Sequence, residues 1–167
     1  MSVPIPCRYC DSVSDSRLVA VRDESDLAEV RGLLREYATS LAFPLDFQGF
    51  ERELAELPGA YAPPRGALLL ARGNGCVALR PLDDTTCELK RLYVRPQARG
   101  MGLGRTLAEA VIAEARRLEY ARMRLDTVPG MEVAQGLYEQ LGFREITPYT
   151  TNPVEGTRFL ELQLLDR

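Results

Sequence analysis

A mixed α/β (α+β) fold, with a central β-sheet of about seven strands flanked by about four helices, is predicted for this chain by three features of its sequence. Between Ala67 and Val94, three short strand-type runs are separated by the turns Gly73-Asn74-Gly75 and Pro81-Leu82-Asp83-Asp84. Runs joined so tightly form antiparallel neighbours. From Thr86 to Val128, a strand-type run, a helical run and a second strand-type run follow one another. Such a connection makes the two strands parallel. Ahead of both units, two amphipathic helical patterns lie between Asp23 and Leu57.

In chain order, residues 1–16 read as a flexible Pro/Ser/Asp-rich leader and 17–167 as a single domain. Arg17 to Val21 is a short strand. Asp23 to Asp26 offers helix N-caps, with Asp26 and Glu29 at capping-box spacing. Leu27, Val30, Leu33, Leu34, Tyr37 and Leu41 then share one helical face, which Phe43-Pro44 ends. Phe47, Phe50, Leu54 and Leu57 mark a second helix, stopped by Pro58-Gly59. Ala67–Ala71, Cys76–Arg80 and Thr86–Val94 are strands. Leu103 to Tyr120 carries an apolar stripe at Leu103, Leu107, Ala110, Val111 and Leu118. Met123–Val128 is a strand, Glu132–Leu141 a helix capped by Gly142, and Phe143–Thr147 and Arg158–Leu164 are two last strands.

The 167 residues suit one domain with a real core, and a net charge of −3 without a basic stripe argues against nucleic acid as a partner. No apolar run is long enough to cross a bilayer, and the start MSVPIPCRYCDSVSDS lacks the basic and apolar regions of a signal peptide. The expected setting is cytoplasmic, with no membrane partner. The chain contains no histidine, which removes Ser-His-Asp and Cys-His catalysis. Any acid or base must be a carboxylate, tyrosine, lysine, cysteine or relayed water. Cys7-x-x-Cys10 offers half of a zinc site with nothing to complete it, and Cys76 and Cys87 lie in strand-type runs as small buried residues, so no metal is expected.

The most informative stretch is Glu88 to Thr106, ELKRLYVRPQARGMGLGRT. A strand ending at Val94 leads into a turn bearing Gly100, Gly102 and Gly104 and then into a helix. Helix N-termini expose unpaired N–H groups and a partial positive charge, so an anion is the natural occupant, and glycines let the backbone approach it closely. Arg95, Arg99 and Arg105 place cations around the turn, which points to a phosphate ligand. A P-loop would need Lys-Ser/Thr where Arg105-Thr106 stands, and the dinucleotide spacing G-x-G-x-x-G is not met from Gly100 or Gly102.

What remains, a strand followed by Arg99-x-x-Gly102-x-Gly104 and an amphipathic helix, resembles the acyl-CoA-binding motif of the GNAT-type N-acetyltransferases. A second segment, Ala134-Gln135-Gly136-Leu137-Tyr138-Glu139-Gln140-Leu141-Gly142-Phe143, resembles the A-x-x-L-Y-x-x-x-G-F segment of that family. The predicted order β-α-α-β-β-β-α-β-α-β-β is that of the GNAT fold. The resemblance implies acetyl-CoA as co-substrate, held by Leu92, Tyr93, Val94, Arg99, Gly100, Met101, Gly102, Leu103, Gly104, Arg105 and Ala134. It implies that Tyr138 protonates the departing thiolate, a role suited to a phenol of ordinary pKa about 10 facing a thiol near 8.5. Glu88 stands at the offset from Arg99 where one branch of the family places its base. A base matters most for a lysine-type acceptor, neutral in only roughly four parts in ten thousand at pH 7. One departure is Met131, where many relatives carry an asparagine that contacts the cofactor.

The function implied is transfer of an acetyl group to a primary amine of a small molecule or peptide by direct attack in a ternary complex. The alternative is a catalytically silent acyl-CoA sensor of the same fold. By resemblance the acceptor pocket is framed by 43–50 and 148–158, with Arg91 and Arg158 as candidate partners of a substrate carboxylate. A homodimer is allowed but not required.

Overall fold

The computed structural model describes residues 18–46 and 49–165. The expected leader with Cys7 and Cys10, and the expected element starts Arg17 and Phe47, lie outside the described residues. The chain order is β1 (Leu18–Ala20), α1 (Glu24–Ser40), α2 (Phe50–Glu56), β2 (Ala67–Ala71), β3 (Gly75–Pro81), β4 (Thr86–Val94), α3 (Leu103–Arg117), β5 (Arg122–Thr127), α4 (Glu132–Gln140), β6 (Arg144–Ile146) and β7 (Arg158–Gln163). The strands form one mixed sheet in the order β1-β2-β3-β4-β5-β7-β6. Only β4 and β5 pair in parallel. This is the predicted architecture, with two one-turn 3₁₀ segments, Gly59–Tyr61 and Pro96–Ala98, added.

Local chemistry accounts for the boundaries that moved. The first capping box lies at Asp23 and Asp26 rather than at Asp26 and Glu29. Asp23 Oδ1 accepts from the Asp26 amide at 2.9 Å, and Asp26 Oδ2 accepts from the Arg22 amide at 3.3 Å. Asp26 is drawn inward by Arg72 at 2.7 Å, which fixes that register. α2 begins at Phe50 because Gly49 still has φ +65°. α3 stops three residues before its expected end. There Glu119 takes φ +63° without glycine's help, the Tyr120 amide donates to the Ala115 carbonyl at 3.1 Å, and the Tyr120 hydroxyl donates to Arg65 O at 2.7 Å.

Each face of the sheet has its own core. α3 and α4 cover one, where Leu107, Val111 and Ala115 meet Leu79, Leu89, Leu125 and Leu160. α1 and α2 cover the other, where Val30, Leu33, Leu34 and Leu54 meet Leu70, Ala78 and Tyr93. Each of these leucines contributes about 1.5–3 kcal/mol of transfer free energy when buried.

The feature that shapes the site is an irregularity in β4. Cys76 pairs with Tyr93 and Ala78 with Lys90, so two steps along β3 match three along β4. The extra residue is a β-bulge, and Arg91 sits in it at φ +58°. A bulge shifts the inside–outside alternation by one. Leu89 and Leu92, three apart, accordingly both pack on the α3 side. Lys90 and Arg91 both turn to the opposite face, where Arg91 meets Glu53 and the Phe50 ring of α2. Beyond the bulge, β4 leaves β5, and their pairing covers only Thr86–Glu88 against Arg122–Arg124.

Gly75, opposite Val94, allows β3 to lie close against this strand. A Cβ there would stand 2.4 Å from the Tyr93 carbonyl oxygen and 3.3 Å from Val94 Cα, both backbone atoms. Gly75→Ala is therefore expected to lower stability by about 1–3 kcal/mol, to be read from urea denaturation of the two proteins side by side.

Candidate active site

Where β4 and β5 part, a cleft opens. Its walls include Lys90, Arg91 and Leu92 of β4, Leu125, Asp126 and Thr127 of β5, Ala134 and Tyr138 of α4, Tyr37 of α1, and Asn152 of the loop before β7. The backbone of β4 past Glu88 has no strand beside it on this side. A ligand with amide groups can take the place of that missing strand.

Past the end of β4, the glycine turn enters α3. Gly100 and Gly102 have φ +82° and +79°, and a Cβ at either would meet nothing within 4 Å. Gly102 is the N-cap and supplies no side-chain acceptor. The Thr106 amide donates to the Gly102 carbonyl at 3.0 Å, while the amides from Gly100 to Arg105 have no hydrogen-bond partner among the described residues. Gly104 lies within the helix at an ordinary φ, and its added Cβ would only touch Val94 Cγ2 at 3.9 Å. Neither backbone nor packing requires glycine at 104. A cup of free amides with room above it fits a pyrophosphate.

The cations around that cup are more committed than their spacing suggests. Arg95 forms a two-pronged pair with Glu36 of α1, at 2.9 and 2.7 Å, and also donates to Gly73 O. This pair holds the Glu36 carboxyl below its usual range. Arg105 is engaged by Glu109 at 3.1 Å and Gln140 at 2.7 Å. Arg99 gives its Nε to the Val94 carbonyl at 2.9 Å and lies over the Tyr93 ring. Anion binding at this turn thus leans on amides more than on free side-chain charge.

The other candidates divide into those that line the cleft and those that do not. Leu92 and Ala134 line the cleft. Tyr93 turns its ring to Tyr37 across the opposite face, Val94 is half-buried, and Leu103 is buried in the α3 core. None of these three lines the cleft. Met101 is 64% exposed on the outer rim. Met131 lines the cleft and gives it an apolar surface where the resemblance leads to the expectation of asparagine.

Tyr138 projects from α4 into the cleft, its ring edge-on to Phe143. Its hydroxyl makes no hydrogen bond among the described residues. Burial raises its pKa above the usual phenol value, with smaller contributions from Tyr37 and Asp126. The phenol is thus protonated throughout the neutral range.

Glu88 is placed differently from the expectation. It is not a solvated strand-edge charge and is not on the cleft wall. It is 1% exposed, with Arg80 at 2.8 and 2.7 Å on Oε1 and the Tyr149 hydroxyl donating to Oε2 at 2.6 Å. The carboxylate that does reach the wall is Asp126. Asn152 Nδ2 donates to its Oδ2 at 2.9 Å, and Lys90 Nζ stands 3.9 Å from Oδ1. Burial lowers the pKa of Lys90, against the opposing pull of Glu88 and Asp126. Asp126, Lys90, Tyr149 and Asn152 were all missed from sequence. A usable signal existed for Asp126, since Arg122-Met123-Arg124-Leu125-Asp126 alternates and ends a parallel strand, where open α/β sheets place ligands.

Arg158, a candidate for substrate carboxylate, is taken up by Glu139 and Glu145 at 3.0 Å each. Cys76 and Cys87 are fully buried, and desolvation pushes both thiols up to about 12. Neither is a nucleophile at neutral pH.

Residues 30–143 match the family described as Acetyltransferase (GNAT) family. An uncharacterized N-acetyltransferase of Schizosaccharomyces pombe is 36% identical over 157 residues, covering 90% of this chain and 96% of the relative. An uncharacterized N-acetyltransferase of Escherichia coli is 30% identical over 138 residues, covering 78% and 81% respectively. Among solved structures, an acetyltransferase from Streptococcus agalactiae has a TM-score of 0.73 at 23% identity over 90% of this chain and 99% of that one. An acetyltransferase from Salmonella typhimurium, solved with its cofactor acetyl-CoA, has a TM-score of 0.63 at 21% identity over 91% and 96%.

The open space at Gly104 yields a direct test. Gly104→Ala is expected to keep or slightly raise the melting temperature, since alanine is the better helix former by up to about 1 kcal/mol. The same change is expected to weaken CoA binding by about tenfold, or 1.4 kcal/mol, in titration calorimetry. Unchanged CoA affinity would show that the cup does not hold the pyrophosphate.

Proposed function

Since the chain belongs to the GNAT acetyltransferase family and is an acyltransferase, we propose that residues 17–167 act as one acetyl-CoA-dependent N-acetyltransferase domain. Its acceptor is the primary amine of a small molecule or peptide, and the transfer is by direct attack in a ternary complex. The observation that carries this reading is a cleft in which the unpaired edge of β4 meets a protonated tyrosine, with a turn of free glycine amides following the same strand on its way into α3.

Acetyl-CoA supplies the acetyl group as a thioester and carries off the bond's electron pair on sulfur. The amides of 100–105 hold its pyrophosphate, and the free edge of β4 from Leu92 to Val94 aligns its pantetheine arm. A backbone N–H on that edge faces the acyl oxygen and stabilises the charge that develops there, without reorganisation. Arg99 and the rim at Met101 flank the phosphate end, and Ala134 leaves room for the arm beside α4.

Proton traffic is divided between two groups. Asp126, on the wall, accepts the proton that the amine must lose. Glu88, the base suggested by the resemblance, acts from behind Lys90 as a fixed charge, because its oxygens are already occupied by Arg80 and Tyr149. Tyr138 delivers a proton to the departing sulfur. Burial makes its phenol a weaker acid, yet the thiolate expelled into the same cleft is destabilised by the same desolvation, so the two move together. The buried cysteines favour direct attack over an acetyl-cysteine route.

Three measurements test this. Tyr138→Phe is expected to lower kcat by about 100-fold while leaving CoA affinity within about twofold; equal turnover would remove it as the acid. Asp126→Asn is expected to lower kcat by a similar factor, about 100-fold, whereas Glu88→Gln should lower it far less. A raised phenol pKa keeps the proton to higher pH, so the wild-type kcat should show no Tyr138-dependent fall below the ordinary value of about 10. CoA binding with no thiol release across a broad amine panel would instead identify an acyl-CoA sensor.

A further inference from the structure

The acceptor end of the cleft contains a buried cation that the reaction does not use. Arg91 is 6% exposed and lines the cleft, and its backbone is held at φ +58°. Positive φ in a bulky residue is costly and collects at functional sites. Its Nε donates to Glu53 Oε2 at 2.8 Å, and the guanidinium lies 5.2 Å from the Phe50 ring centre. Its two terminal nitrogens meet no acceptor among the described residues, and the residue lines the cleft. Other arginines are used more fully. Arg95 closes a two-pronged pair on Glu36, and Arg158 engages acceptors through all three of its nitrogens.

The bulge places Lys90 on the same face, directly before Arg91. Normal alternation would have sent one of them to the α3 core. The nearby wall supplied by Tyr37, Phe43 and Leu45 is largely apolar. Asp126 and Glu53 stand on either side of the two cations. Two cations and two carboxylates leave this end without a net charge, and a ligand carrying one charge of each sign keeps it so. A planar carboxylate can take both terminal nitrogens of Arg91 end-on. A phosphate dianion would face two flanking carboxylates.

Resting on the acetyltransferase reading, we infer that the acceptor is a small amine that itself carries a carboxylate, an amino acid rather than a peptide lysine, and that Arg91 is the residue that selects it. The ammonium end lies toward Asp126 and the carboxylate end toward Arg91. Lys90 adds field without being the primary contact.

The test uses the full-length protein, acetyl-CoA and thiol detection. L-amino acids are compared with their primary carboxamides and with the amines lacking the carboxyl group. The carboxamides have the less basic amines, so intrinsic reactivity favours them, and a preference for carboxylates must come from binding. The expected result is that the best carboxylate substrate exceeds its own carboxamide by tenfold or more in kcat/KM. Arg91→Gln should abolish that ratio chiefly through KM, and Arg91→Lys should restore part of it. Turnover that is indifferent to the carboxylate, or a folded Arg91→Gln that keeps the full ratio, overturns the inference and leaves the transferase reading standing. Absence of thiol release from every amine overturns both. If Arg91→Gln does not fold, the wild-type ratio alone decides.

Discussion

The separation of β4 from β5 is the constraint on which the site depends. Two parallel strands that begin hydrogen-bonded at Thr86–Glu88 cannot remain so once β4 takes in an extra residue at Arg91. The bulge is supported from both faces. Leu89 and Leu92 pack toward α3, and Arg91 is tied to Glu53 of α2. The strand therefore bends as a rigid object, and the cleft is a property of the fold. The same irregularity leaves backbone groups on one edge free to bind an amide-containing arm and turns two adjacent cations toward the opposite end.

Much of this could be read in the sequence, for identifiable reasons. β2 and β4 fall at their expected bounds because apolar runs end in Gly-Asn-Gly, Pro-Leu-Asp-Asp or Arg-Pro, each a strong turn signal. The glycine turn was legible because a backbone at φ near +80° selects glycine at 100 and 102. The placing of Tyr138 on a short helix was legible because Gly142, at φ +99°, closes that helix. The order β5-β7-β6 was not readable, because nothing local says whether the last strand joins the sheet inside or outside the one before it.

The bulge left no trace in composition. Arg91 adopts positive φ without being glycine or asparagine, held there by tertiary contacts, and Glu119 at the end of α3 does the same. Propensity is silent where packing decides. The acceptor end was illegible for a related reason. Asp126 of β5, Lys90 of β4, Tyr37 of α1, and Tyr149 and Asn152 of the loop before β7 are far apart in the chain, and each alone reads as an ordinary polar or aromatic residue. The donor half of such a site is built from contiguous backbone, and the acceptor half from scattered side chains.

That division also explains how two carboxylates in one region come to differ. Glu88 and Asp126 both lie on the face away from α3, and both have Lys90 within about 4 Å. Glu88 precedes the bulge, where β4 is still paired to β5 and the sheet is closed around it, and Arg80 on β3 can reach it across the ladder. Asp126 lies two residues past Arg124, the last position of β5 paired to β4, where β4 has already turned away and only β7 still pairs with the strand. Its only direct hydrogen bond among the described residues comes from the loop residue Asn152, on one oxygen. Tyr149 and Asn152 belong to the same loop, so one segment orders both carboxylates while closing over only one of them. The bend in β4 thus sets which acid is enclosed and which faces the cleft, before any property of the acids themselves is considered.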